Sequence, residues 1–315
     1  MNAAVLAPRA PRRTASVFDL DDHDAWLRWR ERKLASRARD AADLIVEVRD
    51  PRRLTPIEAA AIAQRCRRTN MAIYASRADD DAAADVPRRL GAQLGLATLD
   101  ANPLAARDGV ARIAVDARKA NAGFIPYTSR RMRWHTDGYY NPPSRPVRAM
   151  ILHCVRPAAG GGDTALLDPE LAWLMLRDAG DELVRSLMRP DALTIPERNA
   201  RGAIARDAVS GPVFSTDAAS GDLHMRYTAR RRSVRWHCDA TTGEAAARLL
   251  ALMDHDAGCV VRARLEPGMG LVCNNVLHER TAFEEDPAHP RLILRARFLE
   301  RIAGTEGAWA RLAAP

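Results

Sequence analysis

The chain has 315 residues, 47% of them apolar and 28% charged, which suits about two packed domains or one large β domain with insertions. This composition excludes a collagen-like or wholly disordered chain, and no apolar run approaches the roughly 18 residues that span a bilayer. The net charge is +8, but only Lys33 and Lys119 among the 48 basic residues are lysines and the arginines are interspersed with acids, so the charge does not indicate a nucleic-acid surface.

The N-terminal third of the sequence predicts helices and strands behind a flexible tail at residues 1–18. In residues 19–110 we expect a part that packs on the core and contains a helix over Asp21–Arg39, strands over Leu44–Val48 and Met71–Tyr74, and a loop over Ala78–Pro87. Thr55, Pro56 and Glu58 form a capping-box pattern, which predicts a helix that begins there and ends near Arg68.

Short strands dominate the sequence from residue 111 onwards. The predicted strands are Ala111–Val115, Arg131–Thr136, Arg148–Val155, Thr164–Leu167, Leu223–Tyr227, Cys259–Leu265, Leu271–Asn275 and Arg291–Phe298. Helices are expected after Asp168 and after Thr241, which stand at N-cap positions. This pattern predicts a mainly β fold with flanking α-helices, a barrel or jelly roll, over residues 111–303, followed by a C-terminal tail over 304–315.

The cysteines and the N-terminus indicate the compartment. The chain has an odd number of cysteines and no C-x-x-C pair, which argues against a disulfide framework and a zinc ribbon. The apolar stretch at residues 3–7 is too short for a signal peptide. We therefore expect buried thiols, a cytoplasmic location and no membrane partner, while homo-oligomerisation stays open.

Two H-x-D patterns could bring an imidazole and a carboxylate to one metal ion. They are His135-Thr136-Asp137 and His237-Cys238-Asp239, and in an extended strand residues two apart point to the same face. His237 stands in a charged segment before a predicted helix, which favours a surface histidine. His135 follows a strand-like run and precedes Gly138-Tyr139-Tyr140-Asn141, a loop suited to a pocket wall.

A third ligand candidate stands far downstream. His278 stands at the end of a predicted strand, and together with His135 and Asp137 it would occupy one face of an octahedral iron(II) ion and leave the other face open. An open face is what an oxygen-activating enzyme needs. Arg291 and Arg295 share one face of the last strong strand, and an arginine buried near a metal site favours a carboxylate that its guanidinium can bind.

The ordered motifs resemble the taurine dioxygenase (TauD/TfdA-like) family of iron(II)/2-oxoglutarate-dependent oxygenases. The resemblance extends from about Gly123 to Leu299 and depends on four motifs in the family's order: Trp134-His135-Thr136-Asp137, residues 157–164, the segment from Asn275 to Phe283, and the paired arginines. It implies a double-stranded β-helix, that is, a jelly roll.

The resemblance also implies a role for each residue of these motifs. His135, Asp137 and His278 would be the iron ligands and thereby the catalytic set. Thr164 and Arg291 would hold the distal carboxylate of 2-oxoglutarate, with Arg295 facing either this co-substrate or an acidic group of the prime substrate. Tyr139 and Tyr140 would line the substrate pocket or pack as ordinary aromatic residues. Where the family often has Asp-Asn before the distal histidine, this chain has Asn274-Asn275.

The sequence therefore predicts a dioxygenase that uses iron(II), 2-oxoglutarate and O2. It would hydroxylate an unactivated C–H bond of a small, anionic or zwitterionic molecule and release succinate and CO2. Two alternatives remain: a non-catalytic protein that binds metal and 2-oxoglutarate, and a zinc-dependent hydrolase with the same three ligands, against which the paired arginines and Thr164 argue.

Overall fold

The computed structural model describes residues 16–77, 84–100, 108–116, 123–200, 203–230, 234–254 and 258–309. In these residues the α-helices are α1 (His23–Ser36), α2 (Pro56–Thr69), α3 (Val86–Gln93), α4 (Pro169–Ala179), α5 (Asp181–Leu187) and α6 (Ala240–Asp254). The strands are β1 (Ile45–Glu47), β2 (Met71–Ala75), β3 (Ala111–Ile113), β4 (Met132–His135), β5 (Ala149–Arg156), β6 (Gly160–Gly161), β7 (Thr164–Leu167), β8 (Leu193–Ile195), β9 (Arg198–Ala200), β10 (Ala203–Arg206), β11 (Val209–Gly211), β12 (Phe214–Thr216), β13 (Leu223–Met225), β14 (Arg235–Trp236), β15 (Val261–Ala263), β16 (Gly270–Cys273), β17 (Leu277–Arg280), β18 (Phe283–Glu284) and β19 (Leu292–Phe298).

Two sheets form the centre of the molecule. The six-stranded sheet has the order β1-β2-β16-β5-β19-β3, with only β1 and β2 parallel, and the four-stranded sheet has the antiparallel order β15-β7-β17-β4. Strands β15, β16, β17 and β19 alternate between the two sheets along the chain. The N-terminal strands β1 and β2 extend the larger sheet, so the expected N-terminal part is continuous with the core.

Side-chain alternation divides the apolar residues into layers. In β2, Met71 and Ile73 join the cluster that also contains Leu166 of the smaller sheet, whereas Ala72 and Tyr74 join a cluster with residues of α2 and α3. On the outer face of the smaller sheet, Trp134 and other apolar residues pack with α1, α4, α5 and α6. The inner faces of the two sheets therefore face each other, and helices cover both outer faces.

Several local predictions are confirmed. Thr55 and Glu58 form the capping box of α2, and the side chain of Asp168 accepts the backbone N–H of Glu170 at the start of α4. Each of the ten predicted strands overlaps an observed strand, mostly with differences at one or both ends.

Other local predictions are wrong. Helix α3 begins inside the predicted loop, of which residues 78–83 lie outside the described residues. His278 was expected at the end of the predicted strand over Leu271–Asn275, but it lies inside a separate strand, β17. The cap of α6 is Asp239, whose carboxylate accepts the N–H of Thr242, and not Thr241. Among the cysteines, Cys238 is exposed while Cys66, Cys154, Cys259 and Cys273 are buried.

The packed chain extends into both predicted tails. Val17 and Phe18 are buried in the core, and so is Thr305, while Trp309 stacks edge-on against Trp29. Residues 1–15 and 310–315 of the predicted tails lie outside the described residues. In the described part of the chain, no helix combines the length and apolar character that crossing a membrane requires.

Candidate metal centre

Two histidines face each other across neighbouring strands of the smaller sheet. His278 of β17 is the register partner of His135 of β4, and their ring centroids lie 4.2 Å apart. Their sequence neighbours Trp134 and Leu277 join the apolar cluster on the outer face. Because side chains alternate along a strand, both imidazoles lie on the inner face of the sheet.

Asp137 is the third member of this group, and its backbone is held by an asparagine. Asn275 accepts the N–H of Asp137 through Oδ1 at 2.8 Å and donates through Nδ2 to the carbonyl oxygens of Asp137 and Val147, at 2.9 and 2.7 Å. Asn275 itself has a φ of 51°, a left-handed conformation that asparagine tolerates better than most residues. Asp137 is therefore fixed two residues beyond His135, where its side chain reaches the same face.

The ligand atoms of this group are close enough to share one ion. One donor atom each from His135, Asp137 and His278 lies within 4.8 Å of the other two, and all three residues are buried. The Nδ1 atoms of the histidines lie 2.8 Å from the carbonyl oxygen of Arg133 and 3.0 Å from that of Val276. Since a carbonyl oxygen only accepts, Nδ1 carries the proton in each ring and Nε2 keeps its lone pair for a metal.

The protonation states also suit a cation. Burial and the proximity of His278 lower the pKa of His135 to about 3, and burial lowers the pKa of His278. For Asp137, burial opposes ionisation, but Arg295 and Arg297 hold the pKa of the carboxyl well below its usual range. The group therefore presents two neutral imidazoles and one carboxylate at neutral pH. Oδ2 of Asp137 is buried and has no hydrogen-bond partner among the described residues, so its lone pairs are free to coordinate a metal ion.

The arginines of β19 meet Asp137 from the opposite sheet. Arg295 donates through Nη1 to Oδ1 of Asp137 at 3.0 Å, and Nη1 of Arg297 lies 4.0 Å from the same oxygen. Arg297 also bonds Asp100 at 2.5 Å and donates to the hydroxyl of Tyr140 at 2.8 Å. Arg297 is not among the predicted site residues, although it stands two residues after Arg295 and strand alternation gives it the same face.

Thr164 and Arg291 line one small cavity together with Leu152 and Arg264. The guanidinium of Arg291 lies 5.0 Å from the ring centroid of Phe283, and burial lowers the pKa of this arginine. Among the described residues, no carboxylate forms an ion pair with the side chain of Arg291. A buried cation of this kind is costly unless it meets an anion, so the cavity suits a ligand carboxylate.

The two tyrosines differ in their surroundings. Tyr139 lies 6.3 Å from the ring of His135 and lines a larger cavity of about 300 Å³ beside Asp137. Tyr140 packs edge-on against Tyr139, and its hydroxyl accepts from Arg297. Tyr140 is not one of the described residues that line this cavity.

The second H-x-D pattern is placed elsewhere. His237 lies 3.1 Å from a carboxylate oxygen of Asp191 and 3.4 Å from one of Asp239, with a quarter of its side chain exposed. The only group of three or more metal-ligating side chains found in the described residues is that of His135, Asp137 and His278.

Comparison with known proteins gives one family and a consistent set of relatives. The model of the family described as "Taurine catabolism dioxygenase TauD, TfdA family" matches residues 38–297. A uridine-5'-phosphate dioxygenase of Amycolatopsis sp is 33% identical over 174 residues, which cover 53% of this chain and 60% of the relative. A uridine-5'-phosphate dioxygenase of Streptomyces sp is 32% identical over 180 residues, which cover 54% and 62%. The chain thus spans about three fifths of the length of these curated relatives.

Solved structures show a similar fold at low sequence identity. Asparagine oxygenase in complex with Fe(II), 2S,3S-3-hydroxyasparagine and succinate matches with a TM-score of 0.56 and 16% identity, over 89% of this chain and 92% of that one. AAD-2 in complex with Mn(II) and N-oxalylglycine matches with a TM-score of 0.56 and 15% identity, over 83% and 96%. The fold is therefore one that these oxygenases share.

Proposed function

Because the chain belongs to the taurine catabolism dioxygenase TauD/TfdA family, we propose that it is an iron(II)- and 2-oxoglutarate-dependent dioxygenase. It hydroxylates an unactivated C–H bond of a small anionic substrate and releases succinate and CO2. The observation that carries this proposal is the buried group of His135, Asp137 and His278, whose ligand atoms lie within 4.8 Å of one another. Two imidazoles and one carboxylate are the donor set that iron(II) oxygenases use on one face of the metal.

In this proposal the three ligands act through defined atoms. His135 and His278 would bind iron through Nε2, and Asp137 would bind it through its carboxylate. Iron held there would supply the activation of O2, coupled to the oxidative decarboxylation of 2-oxoglutarate. Arg295 compensates the charge of Asp137 and fixes the orientation of its carboxylate, and Asn275 holds its backbone. These outer contacts tune the position and basicity of a metal ligand.

Thr164 and Arg291 hold the co-substrate. The guanidinium of Arg291 would bind the distal carboxylate of 2-oxoglutarate, and the hydroxyl of Thr164 would donate to the same group. Their shared cavity and the absence of an ion pair to Arg291 in the described residues support this role. A fixed carboxylate orients the keto-acid end of the molecule towards the metal, which reduces the entropy lost before reaction.

The two central sheets are, in our interpretation, the halves of a double-stranded β-helix. Successive strands cross between the larger and the smaller sheet, and apolar residues of both sheets share one cluster between them. Three features support the jelly-roll assignment: this alternation, the inner placement of His135 and His278, and the similarity to solved oxygenases.

The substrate that we propose is a nucleoside 5'-monophosphate. Both curated relatives are uridine-5'-phosphate dioxygenases, and the part of each that matches this chain includes about three fifths of its length. A cavity of about 300 Å³ beside Asp137 is within the roughly 300–1,000 Å³ that small-molecule pockets span.

The test is anaerobic visible absorption of the metal-free protein during addition of iron(II) and then 2-oxoglutarate. We expect a metal-to-ligand charge-transfer band that needs both additions and is weakened in Asp137→Ala. If iron binds stoichiometrically but the band does not form, 2-oxoglutarate does not chelate the metal and the proposal is wrong, which favours a hydrolase. A normal band without consumption of 2-oxoglutarate, with any substrate tried, would instead favour a non-catalytic binding protein.

A further inference from the structure

The residues that line the larger cavity beside Asp137 are of two chemical kinds. The apolar ones, which we call the apolar wall, are Tyr139 and four rigid prolines: Pro142, Pro143, Pro146 and Pro212. The polar ones, which we call the polar wall, include Arg148, Ser215, Thr216, Asp217, His224 and Arg226. A molecule with an apolar, flat part and a strongly polar part would match both walls.

The pairing of His135 with Thr228 places part of the polar wall on the same side of the sheet as the metal ligands. His135 forms an isolated antiparallel bridge with Thr228, and the N–H of Thr136 donates to the carbonyl oxygen of Tyr227 at 3.0 Å. Leu223, Met225 and Tyr227 join the apolar cluster on the outer face of the smaller sheet. The alternate residues of this segment, His224, Arg226 and Thr228, therefore point to the opposite side, where His135 lies.

Three polar groups of this wall lack partners in the described part of the chain. No described residue bonds the hydroxyls of Ser215 and Thr216 or the ring of His224. Burial and the neighbouring arginines lower the pKa of His224 to about 3, so its ring is neutral at neutral pH and offers one donor and one acceptor. Ser215, Thr216 and His224 are half-buried and line the cavity, so their donors and acceptors are available to a polar ligand there.

The wall also carries a positive charge without a counterion. Asp137 is paired with Arg295, and Asp217 is paired with Arg148 at 2.7 Å. Arg226 is only 6% exposed, and its guanidinium donates to the carbonyl oxygens of Leu193, Val209 and Gly211 but forms no ion pair among the described residues.

The position of Arg226 favours an anion in the cavity. Burial and the nearby Arg206 lower its pKa to about 10, so Arg226 stays charged at neutral pH. A buried, uncompensated guanidinium is costly, and an anion in the adjacent cavity would offset that cost. Arg148 can bind such an anion directly, because Asp217 occupies one end of its guanidinium and 29% of its side chain is exposed.

We propose that this cavity seats the prime substrate and that Arg148, His224, Ser215 and Thr216 bind its phosphate, with Arg226 supplying positive potential from behind. This inference rests on the proposed function, since it names the residues that recognise a phosphorylated substrate beside the metal. It assigns the anion to a different place from Arg295, whose guanidinium is paired with the carboxylate of Asp137. The apolar wall of prolines and Tyr139 would then contact the planar base.

The experiment is calorimetric titration of the anaerobic protein, loaded with iron(II) and 2-oxoglutarate, with uridine 5'-phosphate and with uridine. We expect Arg148→Gln to weaken binding of the phosphate ester about tenfold to hundredfold, and His224→Phe to weaken it several-fold, with less than a twofold change for uridine. The matched control is Arg145→Gln, an exposed arginine of the adjacent loop that does not line the cavity, and it should change neither affinity.

A variant that is expected to raise the affinity for uridine 5'-phosphate distinguishes the loss of a phosphate contact from misfolding. Asp217→Asn keeps a side-chain oxygen for the N–H groups of Ala219 and Ser220 but frees Arg148, so it should strengthen binding of uridine 5'-phosphate several-fold. Equal losses for both ligands in Arg148→Gln, or no gain in Asp217→Asn, would overturn the phosphate assignment. Failure of the wild-type protein to bind either ligand would overturn the cavity as the seat of this substrate.

The charge-transfer band distinguishes failure of the proposed function from failure of the phosphate subsite. It reports iron and 2-oxoglutarate and should stay unchanged in Arg148→Gln, His224→Phe and Asp217→Asn. Loss of the band in the wild-type protein would overturn the proposed function, whereas a normal band with unchanged nucleotide binding in all three variants would overturn only the phosphate subsite.

Discussion

Two buried charged clusters in the described part of the chain differ in how their polar atoms are used. The first, which we call the lysine cluster, consists of Lys33, Asp168 and Glu170. The second is the group of His135, Asp137 and His278 described above.

The charged groups of the lysine cluster pair with one another. The ammonium of Lys33 lies 2.5 Å from a carboxylate oxygen of both Asp168 and Glu170 and donates to the carbonyl oxygen of Arg68. Trp309 donates to Glu170 at 3.0 Å. Burial disfavours the charge of Lys33, but the two carboxylates raise its pKa above the usual value. The cluster connects α1 to the start of α4 and to the C-terminal segment. Its ammonium and both of its carboxylates are paired within the protein, so none of these charges needs a ligand.

In the group of His135, Asp137 and His278, by comparison, each side chain keeps one polar atom without a partner among the described residues. Each histidine uses Nδ1 on a backbone carbonyl and keeps Nε2, and Oδ2 of Asp137 has no described partner. Buried charge alone therefore does not identify a functional site. Buried lone pairs that converge on one point and lack a partner in the protein do identify such a site, because a folded protein tolerates them only where a ligand binds to them.

Adjacent asparagines connect the two clusters. Asn274 donates to Oδ1 of Asn70 at 3.2 Å, and Asn70 donates to Asp168 at 2.9 Å. Asn275, the next residue, holds the backbone of Asp137. Asn274 therefore connects to the lysine cluster through Asn70, whereas Asn275 contacts Asp137 directly, which allows the two clusters to be perturbed separately.

The largest effect on stability is expected from Lys33→Met. It leaves two carboxylates buried without a cation, which should lower the free energy of unfolding by about 3–5 kcal/mol. Denaturant-induced unfolding measures this change. Arg30→Met on the same helix removes a partly exposed ion pair with Asp178 and should cost no more than about 1 kcal/mol. Similar losses of unfolding free energy in Lys33→Met and Arg30→Met would contradict the expected difference between buried and partly exposed ion pairs.

His278→Ala should affect the metal rather than the fold. Removal of one ligand is expected to weaken iron(II) binding by more than about 100-fold, beyond the roughly 10–100-fold that loss of an outer partner causes. The free energy of unfolding should fall less than in Lys33→Met, because a neutral imidazole leaves no unpaired charge. Anaerobic iron titration measures the affinity, and His237→Ala, in the other H-x-D pattern, serves as the control that should bind iron normally.

Asn275→Gly and Asn274→Ala separate the clusters at adjacent positions. Glycine tolerates the positive φ of residue 275 but removes the amide that holds Asp137, so iron(II) affinity should fall about 10–100-fold. Asn274→Ala should instead lower stability by about 1–3 kcal/mol, since it removes a buried amide that bonds Asn70, Thr305 and the N–H of Ile302, and it should change iron affinity little. The idea fails if Asn274→Ala weakens iron binding as much as Asn275→Gly does.

The smallest expected effect is the response of the metal-free protein to acid. His135 and His224 have pKa values of about 3 in the folded state, below the roughly 6.5 of a free imidazole. The unfolded chain therefore gains protons first, and the free energy of unfolding should fall by about 1 kcal/mol per histidine for each pH unit below about 6.5. Lys33 does not titrate in this range. Denaturant unfolding between about pH 7 and about pH 5 should show a shallower slope for His224→Phe than for the wild-type protein.

Local sequence patterns predicted much of the fold for a physical reason. The capping box of Thr55 and Glu58 and the cap at Asp168 depend on contacts within a few residues. Two-residue spacing predicted that His135 and Asp137 would face the same way without any tertiary information, and their ligand atoms do converge although Asp137 lies beyond the end of β4. Helix α3 and the residues of β17 were missed because their boundaries depend on packing and strand pairing rather than on local signals.

The sequence by itself determined the kinds of side chain that carry the chemistry, since metal ligands and anion-binding arginines are recognised by type and spacing. Only the tertiary structure decided which of them meet. His278 reaches His135 through strand register across 143 positions, Arg295 pairs with Asp137 from the opposite sheet, and Arg148 comes to line the cavity with His224 through the folding of β12 and β13. These contacts join residues distant in the chain, so no local periodicity encodes them, and they depend on the packing of two sheets around one core.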